Sequence, residues 1–164
     1  MSQWKKKNIE FDSIYTGFLG SQRQVEIVMH FIENFKTEYN LTVIDPVMGD
    51  NGKLYPTIDK GMVVEMKGLV KKADIITPNF TEASYLLGRD YIHTISENEA
   101  KKMLIELTEL GPKTVVITSV FDDSRPEDIN VYAYDRQSDV FYRIRTKHLP
   151  IEFPGVGDIF TSVL

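Results

Sequence analysis

The run Phe153-Pro154-Gly155-Val156-Gly157-Asp158-Ile159-Phe160-Thr161-Ser162-Val163-Leu164 sets two glycines and an aspartate at the head of an apolar helical stretch. Glycine lets backbone N–H groups approach an anion closely, a helix start carries the positive end of its dipole, and a carboxylate beside them can take a proton from an attacking hydroxyl. Together these properties suit movement of a phosphoryl group. The plainer alternative is a tight turn with Asp158 capping a helix. Residues far upstream decide between the two.

The elements that would position this chemistry read as strands alternating with helices. Ile14-Tyr15-Thr16 ends at Gly17, and Val25, Val28, Met29, Ile32 and Phe35 follow at helical spacing. Leu41-Thr42-Val43-Ile44 reads as a buried strand closed by Asp45-Pro46, because proline cannot continue a central strand. A loop from Val47 to Pro56 leads to a helix over Ile58 to Lys71. Asp74-Ile75-Ile76-Thr77 is the next strand, stopped by Pro78, and Thr81 to Leu87 is a short helix ended by Gly88. Ser96 with Glu99 gives a capping-box pattern for a third long helix, ended by Gly111-Pro112 and followed by the strand Thr114 to Thr118. The pattern implies an α/β fold whose mostly parallel central sheet is covered by helices on both faces. Two short strands, Asn130 to Tyr134 and Val140 to Arg145, read as an antiparallel hairpin at its edge. The charged segment Asp122 to Asp128 reads as a mobile surface loop.

In an open sheet of this kind ligands bind beyond the C-terminal ends of the parallel strands. The segments there are Gly17-Phe18-Leu19-Gly20-Ser21, Asp45-Pro46-Val47-Met48-Gly49-Asp50, Thr77-Pro78-Asn79-Phe80-Thr81-Glu82, Thr118-Ser119 and Gly155-Val156-Gly157-Asp158. They would gather Asp45, Asp50, Glu82 and Asp158 with Thr77, Asn79, Thr118 and Ser119, an oxygen-rich set suited to Mg²⁺ and a nucleoside triphosphate. Plainer readings exist: Asp45 as a strand end, Glu82 as a first-turn acid, and Phe18 as core.

Composition narrows the field. The 164 residues are 42% hydrophobic and 26% charged, enough for one domain with a true core. A formal net charge of −5 argues against a nucleic-acid surface, and the lone basic run Lys5-Lys6-Lys7 reads as a solvated tail. There is no cysteine, so disulfides, thiolate metal sites and a cysteine nucleophile are excluded, in keeping with a cytoplasmic setting. No apolar run approaches the ~20 residues that span a bilayer. The three histidines show no metal-ligand spacing.

The segments Asp45-Pro46-Val47-Met48-Gly49-Asp50-Asn51-Gly52-Lys53-Leu54-Tyr55, Ile76-Thr77-Pro78-Asn79-Phe80-Thr81-Glu82-Ala83 and Gly155-Val156-Gly157-Asp158, with Tyr15 to Ser21 ahead of them, resemble the pyridoxal (vitamin B6) kinase family of the ribokinase superfamily. The resemblance covers nearly the whole chain. It implies that Asp158 is the general base acting on the 5′-hydroxymethyl group of the vitamin, and that Gly155, Val156 and Gly157 form an anion hole for the transferred phosphoryl of ATP. It implies Mg²⁺ held directly or through water by Asp50 and Glu82, and K⁺ or Na⁺ near Asp45, Thr77 and Thr118. Asn79 and Ser119 would face the triphosphate and Phe18 would flank the pyridine ring, while Gly49 to Tyr55 would be a flap closing over ATP. Val156 replaces a threonine usual in the family, so a hydroxyl contact is lost while backbone donation survives. Family members are commonly homodimers and roughly a hundred residues longer, so the sequence reads as one partial ribokinase-like domain truncated at both ends. The nearest rival is a hydroxymethylpyrimidine (phosphomethylpyrimidine) kinase of thiamine synthesis; a sugar kinase fits the Asp-Pro-Val-Met-Gly-Asp segment less well. From another class, the rival is a non-catalytic nucleotide-binding fragment.

Overall fold

In the computed structural model, residues 2–151 and 155–164 are described. Phe153 and Pro154, at the head of the glycine run, lie outside them. The chain begins with α1 (Ser2–Lys6), β1 (Ser13–Thr16), α2 (Gln22–Phe35) and β2 (Leu41–Ile44). The hairpin strands β3 (Gly49–Asp50) and β4 (Lys53–Leu54) precede α3 (Lys60–Val70), β5 (Ile75–Ile76), α4 (Phe80–Leu87) and α5 (Glu97–Glu109). Then come β6 (Thr114–Asp122), β7 (Arg125–Asp135), β8 (Val140–Lys147) and α6 (Val156–Ser162).

Among the described residues the main sheet has the order β1-β2-β5-β6-β7-β8, parallel from β1 to β6 and antiparallel beyond. The order of the parallel strands never reverses. Right-handed crossovers therefore put the connecting helices on one face, where α2, α3, α4 and α5 pack side by side. This corrects the double cover expected from the sequence. Tyr142 and Ile144 of β8 point away from that row and stay exposed, while Phe141 and Arg143 face it.

The helices start where the sequence provides caps. Ser21 and Asp59 accept from the N–H groups of Gln24 and Met62 and open α2 and α3. Ser96 caps α5 in the same way, but Glu99 does not complete the expected box, because its carboxylate bonds Arg89 at 2.7 Å. The full capping box forms at α4 instead, between Asn79 and Glu82. Between the helix row and the sheet lie Ile44, Met48, Met66, Leu69, Ile76, Leu104 and Ile117, all at 0% exposure.

Two further expectations change. The segment after Asp122 is a tight turn in which the Ser124 N–H donates to Asp122 Oδ1 at 2.8 Å, with β7 starting at Arg125. β7 and β8 are longer than the sequence implied because β6 runs on to Asp122 and keeps offering partners. The lysines near the start are exposed, but Lys5 and Lys6 belong to α1, whose Trp4 meets Phe11 at a tilt and Phe31 and Phe35 edge-on.

Candidate active site

At the C-terminal edge of the parallel strands, β2 is followed directly by Asp45, which is 5% exposed. Thr77, at the end of β5, is also buried, and its Oγ1 lies 3.0 Å from Oγ1 of Thr161 on α6. Both hydroxyls favour the charged form of the Asp45 carboxylate. Burial and then the charge of Asp158 drive Asp45 up to about 6, against the pull of those hydroxyls.

Asp158 is the third residue of α6, so Gly155, not Asp158, is the N-cap. Gly155 has φ 84°, a left-handed conformation that favours glycine, and a Cβ there would meet nothing within 4 Å. Gly157 lies nearer the carboxylates, since a Cβ on it would sit 3.8 Å from Asp45 Oδ2. Val156 is exposed, with no side-chain hydroxyl to offer a ligand. Asp158 is exposed and accepts from the Tyr15 hydroxyl at 3.3 Å. Phe18 is half-exposed at 53%, so its ring is free to face a ligand and is not core.

A second cluster surrounds Glu82, which is 2% exposed. Its Oε1 accepts from the Met48 N–H at 3.0 Å and its Oε2 from the Asn79 N–H at 2.8 Å. Burial raises this carboxyl to about 8, opposed by those backbone donors. Asn79 Nδ2 donates to the Gly49 carbonyl at 2.8 Å, and the Gly52 N–H donates to Thr81 Oγ1 at 2.9 Å. The β3–β4 hairpin is thereby tied to the start of α4. Asp50 is exposed on that hairpin and accepts from the Asn51 N–H.

At the end of β5 and along β6, Thr118 pairs with Asn79, and its N–H donates to the Pro78 carbonyl at 3.0 Å. Ser119 takes φ 58° at a bulge. The structure thus joins Asp45, Thr77 and Asp158 in one cluster, Glu82 and Asn79 in a second beside it, and Thr118 and Ser119 along the rim. Asp50, on the hairpin tied to that second cluster, acts on Tyr55 together with the charges of Glu82 and Asp45. Sequence reasoning missed Tyr15 and Thr161. Thr161 follows Asp158 by one helical turn, the signal that could have found it.

Among the described residues no three His, Asp or Glu side chains are placed to hold a metal ion by themselves. Mg²⁺ in nucleotide sites is held by one or two carboxylates and the substrate phosphates, so a preformed cage is not required. The donors are all hard oxygens, and among the described residues no ion pair engages Asp45, Asp50, Glu82 or Asp158. Asp45 and Glu82, buried without a basic partner, fit a site completed by cations.

A family model described as phosphomethylpyrimidine kinase matches residues 4–164. The chain belongs to the phosphomethylpyrimidine kinase family. Within that family's reach, the pyridoxal kinase of Dictyostelium discoideum is 32% identical over 163 residues, covering 94% of this chain and 53% of that protein. A Bacteroides thetaiotaomicron structure described as a phosphomethylpyrimidine kinase and solved with pyridoxal is 48% identical, with TM-score 0.93 over 99% of this chain and 57% of that one. A Plasmodium falciparum PdxK solved with AMP-PNP and PL is 30% identical, with TM-score 0.76 over 98% of this chain and 59% of that one. The resemblance to pyridoxal kinases read from the sequence is borne out. The chain spans about half the length of the curated relatives it matches.

Proposed function

We propose that the protein carrying this chain is an ATP-dependent pyridoxal kinase, and that these residues form one partial ribokinase-like domain of it. The observation that carries the reading is the exposed Asp158 carboxylate, aligned by Tyr15, set directly after Gly155 and Gly157, and facing Gly17, whose chain neighbour Phe18 has a half-exposed ring. The likeness to a relative solved with pyridoxal supports the choice of substrate.

On this reading Asp158 takes the proton of the 5′-hydroxymethyl group as its oxygen bonds the γ-phosphorus of ATP and the bond to the departing ADP breaks. Gly155, Val156 and Gly157 supply backbone N–H donors to the charge that gathers on the transferred phosphoryl. Phe18 packs against the pyridine ring. Asn79, Thr118 and Ser119 bind the triphosphate, and the β3–β4 hairpin covers it. Mg²⁺, held through Glu82 and Asp50, would neutralise phosphate charge. K⁺ or Na⁺ would sit with Asp45, Thr77 and Thr118. The working form is a cytoplasmic homodimer without nucleic-acid partners. Among the described residues no helix is long and apolar enough to cross a membrane.

The test is ATP turnover by the whole protein and by this chain with pyridoxal, hydroxymethylpyrimidine or ribose. Preference for pyridoxal is expected. Preference for the pyrimidine would move the substrate to the namesake reaction of the family, and nucleotide binding without turnover would leave a binding fragment.

A further inference from the structure

The antiparallel side of the sheet contains a buried polar brace that ordinary strand pairing does not need. Ile117 of β6 faces Tyr132 of β7 and Val120 faces Asn130, so Thr118 and Ser119 together oppose Val131 alone. Ser119 holds φ 58°, which a serine keeps only where its surroundings impose it. Bulges of this kind re-aim side chains next to active sites.

Behind the bulge stands Asn130, at 0% exposure. Its Nδ2 donates to the Val120 carbonyl at 3.2 Å, and its Oδ1 accepts from Arg143 Nε at 3.0 Å. Arg143 reaches over from β8 and is itself fixed, donating to Glu97 of α5 and to Asp122 of β6 at 2.6 Å each. A buried amide is costly unless bonded, and here both of its ends are engaged, one on the bulge and one on a guanidinium held from two sides. An apolar residue would fill the same space but leave the carbonyl just past Ser119 without its side-chain donor.

We propose that Asn130, oriented by Arg143, is a positioning residue that holds the Thr118–Ser119 bulge in the shape that receives nucleotide phosphates. The inference rests on the ATP reading of Thr118 and Ser119 given above. Asn130 and Arg143 act through the bulge, by their bonds to Val120, Glu97 and Asp122.

The experiment is steady-state kinetics of the whole protein with ATP and pyridoxal for Asn130→Asp, Arg143→Lys and Tyr134→Phe. Asn130→Asp keeps the shape and the acceptor for Arg143 but withdraws the donor to Val120. Its KM for ATP should rise roughly five- to tenfold, the scale of one lost buried hydrogen bond, with KM for pyridoxal held within about twofold. Arg143→Lys, which loses the donor to Asn130, should give the same split at smaller size. Tyr134→Phe loses only the hydroxyl bond to Asp139 at the far hairpin turn and should leave both constants unchanged. An unchanged KM for ATP, or both KM values rising together, overturns the proposal, and Arg143→Lys decides alone if Asn130→Asp does not fold. Absence of wild-type turnover would count against the kinase reading and not against the brace. In that case amide exchange decides: faster exchange at Thr118 to Val120 in the variants, with α2 unchanged, supports the brace, and equal exchange refutes it.

Discussion

The Tyr15 hydroxyl stands 3.3 Å from Oδ1 of Asp158, joining the end of the first strand to the helix that follows the glycines. Burial, then the charges of Asp45 and Asp158, raises Tyr15 to about 12, so near neutrality it keeps its proton and acts as a donor. A donor on one carboxylate oxygen fixes the group and leaves the other oxygen for an incoming hydroxyl. Tyr15→Phe deletes the O–H and keeps the ring. We expect kcat to fall roughly three- to tenfold with KM for ATP unchanged, as for loss of one hydrogen bond to a charged group. Wild-type kcat in that variant would show that Asp158 is held by other means.

Removing the carboxylate should do far more. Asp158→Ala is expected to lower kcat by at least ~10²-fold, the lower scale for a general base. Gly17→Ala offers a gentler displacement of the same group, since its Cβ would lie 3.0 Å from Asp158 Oδ1 and 3.2 Å from the Tyr15 hydroxyl. The expected result is an intermediate loss of kcat with an unchanged thermal midpoint. Single-turnover measurements on the two variants would check the order, and a Gly17→Ala protein as fast as wild type would show that the carboxylate has room to move.

What the sequence reveals of this site follows from local signals. Asp45-Pro46 and Thr77-Pro78 announce strand ends because proline has no N–H to give to a ladder, and the polar residues beside them duly line the sheet edge. Tyr15 is hidden because it alternates with buried Ile14 and Thr16, and alternation alone does not say what lies on its face. Distant partners also escape a local reading. The capping pattern is present at both Ser96 and Asn79, yet Arg89, ten residues before Glu99, draws that carboxylate away and leaves the full box to Glu82. The single-face helix cover is equally invisible locally, since it depends on strand order.

Glu82 carries two loads that one substitution separates. Both oxygens accept backbone N–H groups, from Met48 and Asn79, so the side chain fixes the loop after β2, besides the part in holding Mg²⁺ proposed for it. Glu82→Ala should therefore lower stability by about 2–4 kcal/mol, two buried donors being left unpaired, and should raise the Mg²⁺ concentration needed for half-maximal turnover. Glu82→Gln keeps one good acceptor and should recover part of the stability but not the metal response. Denaturant melts and Mg²⁺ titrations of both variants check this. A wild-type Mg²⁺ titration in Glu82→Gln would leave Glu82 with the structural task alone.

Asp45 predicts how stability follows pH. Burial, then the nearby charge of Asp158, raises its carboxyl from 3.8 to about 6 in the folded state. A folded value above the unfolded one means that the native state holds this proton more tightly, so the contribution is full below the unfolded value and is lost as pH rises through about 6. Without added cations, wild type should lose stability relative to Asp45→Asn between roughly pH 4 and 7, by on the order of 3 kcal/mol. A cation that binds the ionised carboxylate should restore wild type at the upper end and leave Asp45→Asn unchanged. Thermal midpoints from pH 4 to 8, with and without KCl or MgCl₂, test both statements. Parallel curves for the two proteins would mean that Asp45 titrates alike folded and unfolded, and a salt response shared by both would place the cation elsewhere.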